Sequence, residues 1–324
     1  VEIAVPFEIL VYPPGQSRFG VEFARQIGRH GVILHYPFLG KTMDLSRMMV
    51  WTGLHLPKAK AALRYMPYAT AGMGEGTVRG FDAGIDGKYV SPGGVTGLAT
   101  INPDFQNIED TVESIAFTWT ERYRADARPF FTDGASVYFP DADFFYSRRI
   151  KDCDLGAKAF GQAGKNAFGV LATNKHEGDQ ALVANTRYEF SPYANVTAAV
   201  AAHNPATLPH ALASRVGGRL DWYRGETRWS VSGSHDESDA YFVDDSGPVT
   251  RWRGARTSVS VSRSPPSGRL AFSLGYTDVG PGFRPSLALD QDRGYGGPSA
   301  SISVSETWAE GRLSSRGWSA VSYT

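Results

Sequence analysis

Charged side chains in residues 103–150, a stretch whose pattern differs from the rest of the chain, are the first candidates for chemistry. Paired arginines such as Arg148 and Arg149 can line a channel constriction and select anions or acidic sugars. They could instead brace the fold by pairing with nearby acids: Asp104, Glu109, Asp133 or Asp143. Both interpretations remain open at this point. The candidate pore or insert residues are Asp104, Glu109, Arg128, Asp133, Arg148 and Arg149.

Carboxylates in and near this stretch could also serve hydrolysis or metal binding. Glycoside hydrolysis needs two acids about 5–10 Å apart in a cleft, and the sequence does not fix the spacing of Asp104, Glu109, Asp133 and Asp141. The acidic run Asp236–Asp245 could bind calcium through carboxylate oxygens, although such runs more often form solvated loops. The sequence leaves enzymatic activity uncertain and leans against it.

Motifs for other chemistry are missing from the sequence. The seven histidines show no HExxH or HxH spacing, and no nucleophile elbow, phosphate-binding loop or dinucleotide fingerprint occurs. We therefore predict no catalytic residue, no metal and no cofactor. The 33 basic and 33 acidic side chains cancel, which argues against a nucleic-acid partner.

The elements that must position these residues are strands. From residue 151 onward, short strands alternate with turns and loops. The predicted strands are Asp154–Phe160, Ala167–Thr173, Ala181–Phe190, Asn195–His203, Arg215–Arg224, Arg228–Asp236, Gly254–Arg263, Arg269–Thr277, Ser299–Trp308 and Arg312–Ser322. Upstream, Arg64–Met73, Arg79–Tyr89 and Val95–Asn102 bring the total to about thirteen. Single-chain bacterial barrels have even strand numbers, so we expect an incomplete barrel.

Connections between the predicted strands alternate in length. Tight ones lie at Gly161–Asn166, Ser191–Ala194, Arg224–Thr227, Ser264–Gly268 and Ala309–Gly311. Roomy ones lie at Asn174–Gln180, Asn204–Ser214, Glu237–Arg253 and Asp278–Pro298. Outer-membrane barrels have short periplasmic turns and long extracellular loops. This alternation predicts an all-β fold, an antiparallel transmembrane β-barrel.

Side chains within the strands alternate as a barrel wall requires. In Ala181–Phe190, apolar even positions oppose Asn185, Arg187 and Glu189, and successive side chains of a strand point to opposite faces. Aromatic residues near strand ends, among them Tyr188 and Trp222, fit the interfacial girdles of membrane barrels. The lipid bilayer of the cell outer membrane is therefore the expected partner and location.

Several separated motifs carry a family resemblance. They are TINPDFQNIED (100–110), ARPFFTDG (127–134), FFYSRRI (144–150), LGAKAFGQAGKNAFGVLATN (155–174) and DVGPGFRP (278–285). Together they resemble the bacterial outer-membrane β-barrel family of unknown function that follows a family-nine carbohydrate-binding-like domain. The family's usual FFPEKRPFFLEG stands here as RYRADARPFFTDG, which loses a Glu-Lys pair and places Asp133 where the family has Glu.

The resemblance also implies a domain organisation. The segments VEIAVPFEILVY and FGVEFARQIGRHG resemble the last strands of the preceding β-sandwich. We expect the tail of that sandwich at 1–40, a linker at 41–63 and the barrel at 64–324 with a long insert at 103–150. The chain is thus read as a fragment of a longer protein.

Two functions follow as expectations. The first is a passive outer-membrane pore or uptake component, with saccharides as the expected solutes and the insert as constriction or plug. The second is a carbohydrate-binding or carbohydrate-active, glycoside hydrolase-associated surface protein for which the barrel is an anchor.

Overall fold

The computed structural model describes residues 17–30, 32–39, 48–54, 61–74, 77–103, 105, 121–176, 178–243, 247–265, 270–307 and 315–323. Strands dominate this part of the chain. Two short sheets come first. β1 (Phe19–Val21) pairs antiparallel with β4 (Met49–Trp51), and β2 (Phe23–Ile27) pairs with β3 (Val32–Tyr36). The predicted first strand at Val1–Tyr12 lies outside the described residues.

Thirteen further strands form one continuous antiparallel sheet in sequence order. They are β5 (Ala62–Gly74), β6 (Thr77–Val90), β7 (Thr96–Ile101), β8 (Leu155–Ala163), β9 (Asn166–Asn174), β10 (Gln180–Ser191), β11 (Ala194–Asn204), β12 (Ala211–Arg224), β13 (Thr227–Val243), β14 (Val249–Ser264), β15 (Leu270–Val279), β16 (Tyr295–Thr307) and β17 (Ser315–Tyr323). The predicted all-β antiparallel fold and the count of about thirteen strands are confirmed. β5 begins inside the segment predicted as a linker.

The two ends of the sheet differ in their connections. At the turn end, β8–β9, β10–β11 and β12–β13 are joined by two residues each. Gly164 and Gly225 open two of these turns with φ of 59° and 62°, which glycine adopts without the strain of a side chain. At the loop end, the connections at 102–154 and 280–294 are long.

One predicted loop is wrong. The stretch Glu237–Arg253 was expected to be a roomy connection, but β13 continues to Val243 and β14 begins at Val249. Sixteen residue pairs join the two strands, from Arg228↔Ser264 to Val243↔Val249. The stretch does not alternate in polarity because Asp236 and Ser238 are polar on the inner face and Glu237 and Asp239 are polar on the outer face, so the sequence lacks the usual period-two signal of a strand. The run Asp236–Asp245 is therefore largely strand, and Asp236 is fully buried.

The sheet has two chemically distinct faces. We call the face that carries Lys158, Leu171, Val183 and Asp236 the inner face, because the insert packs on it. The opposite, outer face exposes large apolar side chains across many strands. They include Val170, Leu182, Val196, Leu212, Val216, Leu220, Val259, Leu274 and Ile302, each 39–60% exposed.

The sheet curves around its insert. Side chains from β6, β10, β12 and β14 all contact residues 133–143. From β6 to β14 there are eight strand-to-strand steps, which would cover about 38 Å if the sheet were flat. Residues 133–143 of the insert reach across this width. Eleven fully extended residues would span about 36–40 Å, but the four residues of the helical turn at 135–138 rise only about 1.5 Å each, so the segment is shorter than the flat sheet would be wide. The described strands do not close into a ring: β5 and β17 are the two edges. Pro67 lies in edge strand β5, where a missing N–H is tolerated.

Helical structure is confined to short turns in the described residues. The insert holds α1 (Pro129–Thr132) and α2 (Ala135–Tyr138), and a 3-10 turn covers Ser147–Arg149. None of the described helices has the length and apolar character to cross a membrane.

Candidate functional site

The insert is anchored to the inner face by an aromatic core. Phe144 is fully buried, and the cluster around it joins insert side chains to the walls of β8–β12. Its members are Phe130, Phe131, Phe139, Phe144, Phe145 and Ile150 from the insert, Phe160, Leu171, Ala181, Val183, Ala199, Ala201 and Ala213 from the strands, and Leu287 from the segment between β15 and β16. Small strand residues leave room for the phenyl rings, so the insert fills this part of the interior.

Arg128 organises the insert from within. Its guanidinium donates to Asp126 Oδ1 and Oδ2 at 2.9 and 2.6 Å and to the carbonyl oxygens of Ile150 and Ser147 at 2.6 and 3.0 Å. It also lies 4.1 Å from the centroid of the Phe131 ring. Arg128 is 9% exposed and its donors are used inside the insert, so its contacts are structural.

Asp126 is held in its charged form. Burial opposes that charge, but hydrogen bonds from Arg128 and from the Ser147 hydroxyl outweigh burial, and the pKa of Asp126 lies below its ordinary value. The Asp126–Arg128 pair therefore remains ionised at neutral pH.

Two lysines tie α1 to the sheet. Lys158 on β8 is 3% exposed and donates to the carbonyl oxygens of Phe130 and Phe131 at 3.0 and 2.8 Å. Lys88 on β6 pairs with Asp133 at 2.5 Å. Both contacts act at the junction of wall and insert, on the side of β6–β8.

The β15–β16 loop (residues 280–294) completes the interior body. The Tyr146 N–H donates to Leu287 O at 2.7 Å, and the Leu289 N–H donates to Ala142 O at 2.9 Å. Arg149 donates to Ala288 O at 2.8 Å and pairs with Glu121. Two segments distant in sequence thus share backbone hydrogen bonds, and both carry motifs of the family resemblance.

An arginine–aspartate–arginine clamp lies across β12, β13 and β14. Asp236 Oδ1 accepts from Arg215 Nε at 2.7 Å, and Oδ2 accepts from Arg215 Nη2 at 3.0 Å. The same Oδ2 accepts from Arg256 Nε and Nη2 at 2.9 and 2.7 Å. The strand register places the three residues in one row, since Arg215, Asp236 and Arg256 are cross-strand partners. A fully buried carboxylate requires such pairing.

The clamp reaches the insert through the remaining arginine nitrogens. Arg215 Nη1 donates to Asp141 Oδ1 at 3.0 Å, and Arg256 Nη1 lies 3.5 Å from Asp143 Oδ2. Gln291 of the β15–β16 loop donates to Asp143 as well. The Phe144 ring lies against Arg215, 4.8 Å from guanidinium carbon to ring centroid. The clamp therefore holds the wall, the insert and the loop together.

A polar cavity of about 460 Å³ opens beside the clamp. Its lining includes Asp141 and Asp143 from the insert and Arg215, Arg219 and Arg256 from the wall. Hydroxyl and amide groups complete it, from Asn195, Thr197, Ser234, Ser258, Thr277, Gln291 and Tyr295. Three arginines stand against two acids, so the lining is strongly polar with a small excess of positive charge.

A serine wall continues from the cavity towards the turn end. Strand register places serines side by side on the inner face of β13–β16. They are Ser230, Ser232, Ser234, Ser258, Ser260, Ser262, Ser273, Ser299, Ser301 and Ser303. The Ser232–Ser260 and Ser234–Ser258 hydroxyl pairs are hydrogen-bonded at 2.8 and 2.9 Å. This part of the inner face can hydrogen-bond water or solutes along its length.

An aromatic belt lies at the turn end. Tyr188 and Phe190 have ring centroids 5.1 Å apart. Trp222 stacks on Trp229 at 6.1 Å, and Trp229 meets Phe272 edge-on at 5.8 Å. The predicted clustering of aromatic residues near strand ends is present there.

The predicted site residues separate into three groups. Asp104 and Glu109 lie outside the described residues. Arg128, Asp133 and Arg149 make contacts that join the insert to itself, the wall and the β15–β16 loop, as described above. The Arg148 guanidinium lies 3.5 Å from Ala125 O. A role for any of them in a constriction stays a prediction.

Sequence reasoning missed the clamp. In the sequence, Arg215 begins a predicted strand, Arg256 is one polar position of another, and Asp236 begins the acidic run Asp236–Asp245. A signal did exist: opposite charges fall on matching positions of three successive strands. This matching of charges depends on the register of β13 and β14, whose pairing continues through residues 237–253.

The described part of the chain offers neither a cluster of metal ligands nor a reactive thiol. It contains no group of three or more His, Cys, Asp or Glu side chains arranged to hold a metal. Cys153 is buried, and burial, with a further contribution from the nearby Asp152 charge, raises the pKa of its thiol to about 12. The thiol is therefore protonated and shielded at neutral pH.

Comparisons with known proteins give a family match over part of the chain. Residues 60–167 match the model of a domain of unknown function (DUF5916). No curated protein matches. Pseudomonas aeruginosa OccK8 (OprE) has 9% identity and a TM-score of 0.36, covering 84% of this chain and 86% of its own. Acinetobacter baumannii OccAB1 has 12% identity and a TM-score of 0.36, covering 80% and 78%. Likenesses this weak carry no functional argument.

Proposed function

We propose that this chain forms most of an outer-membrane β-barrel whose polar interior lets small polar solutes, saccharides among them, pass by diffusion. The observation that carries the proposal is the chemical difference between the two faces of one sheet. The outer face exposes apolar side chains and the inner face carries serines, arginines and acids. A bilayer outside and water inside account for that difference.

The outer face supports membrane contact. Soluble proteins rarely expose contiguous apolar patches of more than a few hundred Å², yet large aliphatic residues recur on the outer face from β9 to β16. The strands that carry them run from 9 to 17 residues, enough to cross a bilayer at a tilt. The aromatic belt at the turn end fits an interfacial girdle.

The inner face supports a partly filled lumen. The insert packs against β8–β12, whereas the serine wall on β13–β16 and the adjoining cavity offer hydrogen-bonding groups. The solute path therefore follows the serine wall past the clamp, and the insert narrows it. Saccharides suit such a wall because hydroxyl, amide and guanidinium groups match their hydroxyls.

A conductance measurement tests this function. Purified full-length protein, which contains the complete barrel, should give stable channels in planar bilayers, and liposomes containing it should swell in neutral sugars. A shift in gel mobility between unheated and boiled samples should report a folded barrel. Folded protein that yields neither conductance nor swelling would overturn the pore.

A second function is favoured by the packing of the insert. Its aromatic core and clamp close much of the interior, as expected if the barrel serves as the membrane anchor of a carbohydrate-binding surface protein. Glycan binding by the longer protein, together with silent barrels in bilayers, would favour the anchor over the pore.

A further inference from the structure

The clamp leaves one nitrogen of each arginine available for a second acceptor. Asp236 accepts from Nε and Nη2 of both Arg215 and Arg256. Asp236 is fully buried, so it fixes the orientation of both guanidinium groups. The two Nη1 atoms are left to face the interior. Arginine donors held in a fixed orientation suit a carboxylate, because each Nη1 can donate a charge-assisted hydrogen bond to a carboxylate oxygen.

The acceptors that now meet these donors are two exposed carboxylates and one amide: Arg256 Nη1 also lies 3.4 Å from Gln291 Oε1, and Gln291 Nε2 donates to Asp143. The Asp141 and Asp143 side chains are 64% and 45% exposed, against 13% for each arginine. Exposed ion pairs contribute little because water competes for both partners. The Arg256–Asp143 separation of 3.5 Å is also long for a hydrogen bond. Another carboxylate at sufficient concentration can therefore replace them.

The space for such a solute adjoins the same donors. The cavity of about 460 Å³ is lined by the clamp and by the hydroxyls of Thr197, Ser234 and Ser258. Those hydroxyls can bind the polyol part of a solute whose carboxylate lies on the arginines. A volume of this size accommodates a monosaccharide-sized molecule.

We propose that Arg215 and Arg256 form a binding site for small polyhydroxylated carboxylates, and that Asp141 and Asp143 of the insert occupy the carboxylate positions when no solute is bound. The proposal rests on the proposed function, since it assigns a solute class to the same interior. It makes Asp141 and Asp143 internal competitors. Their removal should therefore strengthen solute binding rather than weaken it.

Calorimetry on the folded full chain in detergent micelles tests the proposal, with glucuronate as probe and glucose as its neutral counterpart. The unmodified chain should bind glucuronate and not glucose. The Asp141→Asn/Asp143→Asn variant should bind glucuronate about three- to tenfold more tightly, since each exposed ion pair it removes is weak. The control Glu237→Gln/Asp239→Asn removes two acids from the outer side of β13 and should leave affinity unchanged.

A second pair of variants protects the test against misfolding. Arg256→Gln should abolish glucuronate binding, and Arg256→Lys should weaken it, because one ammonium group cannot both hold Asp236 and present the separate Nη1 donor to the solute. Each variant is first checked for the gel shift of a folded barrel. Unchanged or weaker glucuronate binding in Asp141→Asn/Asp143→Asn, or equal binding of glucose, overturns the proposal.

Failure of this site and failure of the pore are distinguishable. Channels that conduct while glucuronate binding ignores the acid substitutions would remove the carboxylate site and leave the pore. Silent barrels that bind glucuronate as described would keep the site and remove free diffusion.

Discussion

The inner face is divided into two regions of opposite character. On β8–β12, the positions under the aromatic core of the insert are apolar or small, such as Leu171, Val183 and Ala213, and phenylalanines pack on them. On β13–β16, serine is the commonest residue at the same alternate positions, and hydroxyl pairs replace ring contacts. One strand periodicity thus builds a packed core on one side and a wettable wall on the other. The clamp of Arg215, Asp236 and Arg256 lies at the boundary.

That boundary explains why charge is concentrated there. A plug held by aromatic packing alone would leave its polar edge free towards the serine wall. Arg215 and Arg256 contact that edge through Asp141 and Asp143, while Asp236 supplies the one buried negative charge between the two guanidinium groups. Breaking the clamp should therefore affect the boundary, and breaking the core should affect the packed region.

The largest effect is expected from removing the buried charge of the clamp. Asp236→Asn leaves two guanidinium groups without their carboxylate, which typically costs about 3–5 kcal/mol. The free energy of unfolding in lipid vesicles, measured by urea titration, should fall by that amount. Asp239→Asn, on the same strand but paired with the exposed Arg251, should cost no more than about 1 kcal/mol. Equal effects of the two substitutions would contradict a clamp.

The packed region should respond to loss of its central ring. Phe144 is 0% exposed, and Phe144→Ala creates a cavity that costs about 3 kcal/mol. Because the insert is not part of the strand ladder, the cost should appear as release of the insert. Proteolysis within residues 121–150 should accelerate and conductance should rise. Val137→Ala, at a 52% exposed position of the insert, should change neither.

Acid should loosen the insert before it affects the serine wall. The pKa of Asp126 in the folded protein is lower than its ordinary value of 3.8. The ion pair with Arg128 therefore stabilises the insert fully at pH values above 3.8. That stability is lost as pH falls through the folded pKa. Proteolysis of the insert should therefore be constant from neutral pH to about 4 and rise below it. Asp126→Asn should show fast proteolysis already at neutral pH, with no further rise in that window.

The strand periodicity was readable from the sequence, but the division of the inner face was not. Alternation in β10 and the serine runs of β14 and β16 predict strands directly, because period two is a local property. Whether an inner position meets a ring or water depends on where the insert folds back. Leu171 and Ser260 occupy equivalent alternate positions, yet only the tertiary structure places Phe144 and its neighbours over β8–β12.

The clamp also could not be predicted from local sequence patterns. Arg215, Asp236 and Arg256 are 20 or more residues apart from one another, and their pairing depends on register across three strands. A shift of one residue would turn every side chain to the other face. With a loop predicted at Glu237–Arg253, the register between β13 and β14, and hence the pairing of Asp236 with Arg256, cannot be predicted from the sequence.

The most direct test of the account compares thiol labelling at three strand positions. Val259→Cys lies on the outer face, Ser260→Cys on the serine wall, and Val183→Cys under the insert. Native Cys153, 1% exposed with a raised thiol pKa, should contribute little background. With barrels in lipid vesicles, a charged, membrane-impermeant thiol reagent should label Ser260→Cys rapidly and the other two slowly. Rapid labelling of Val259→Cys, or protection of Ser260→Cys, would contradict a lipid-facing outer side and a water-filled serine wall.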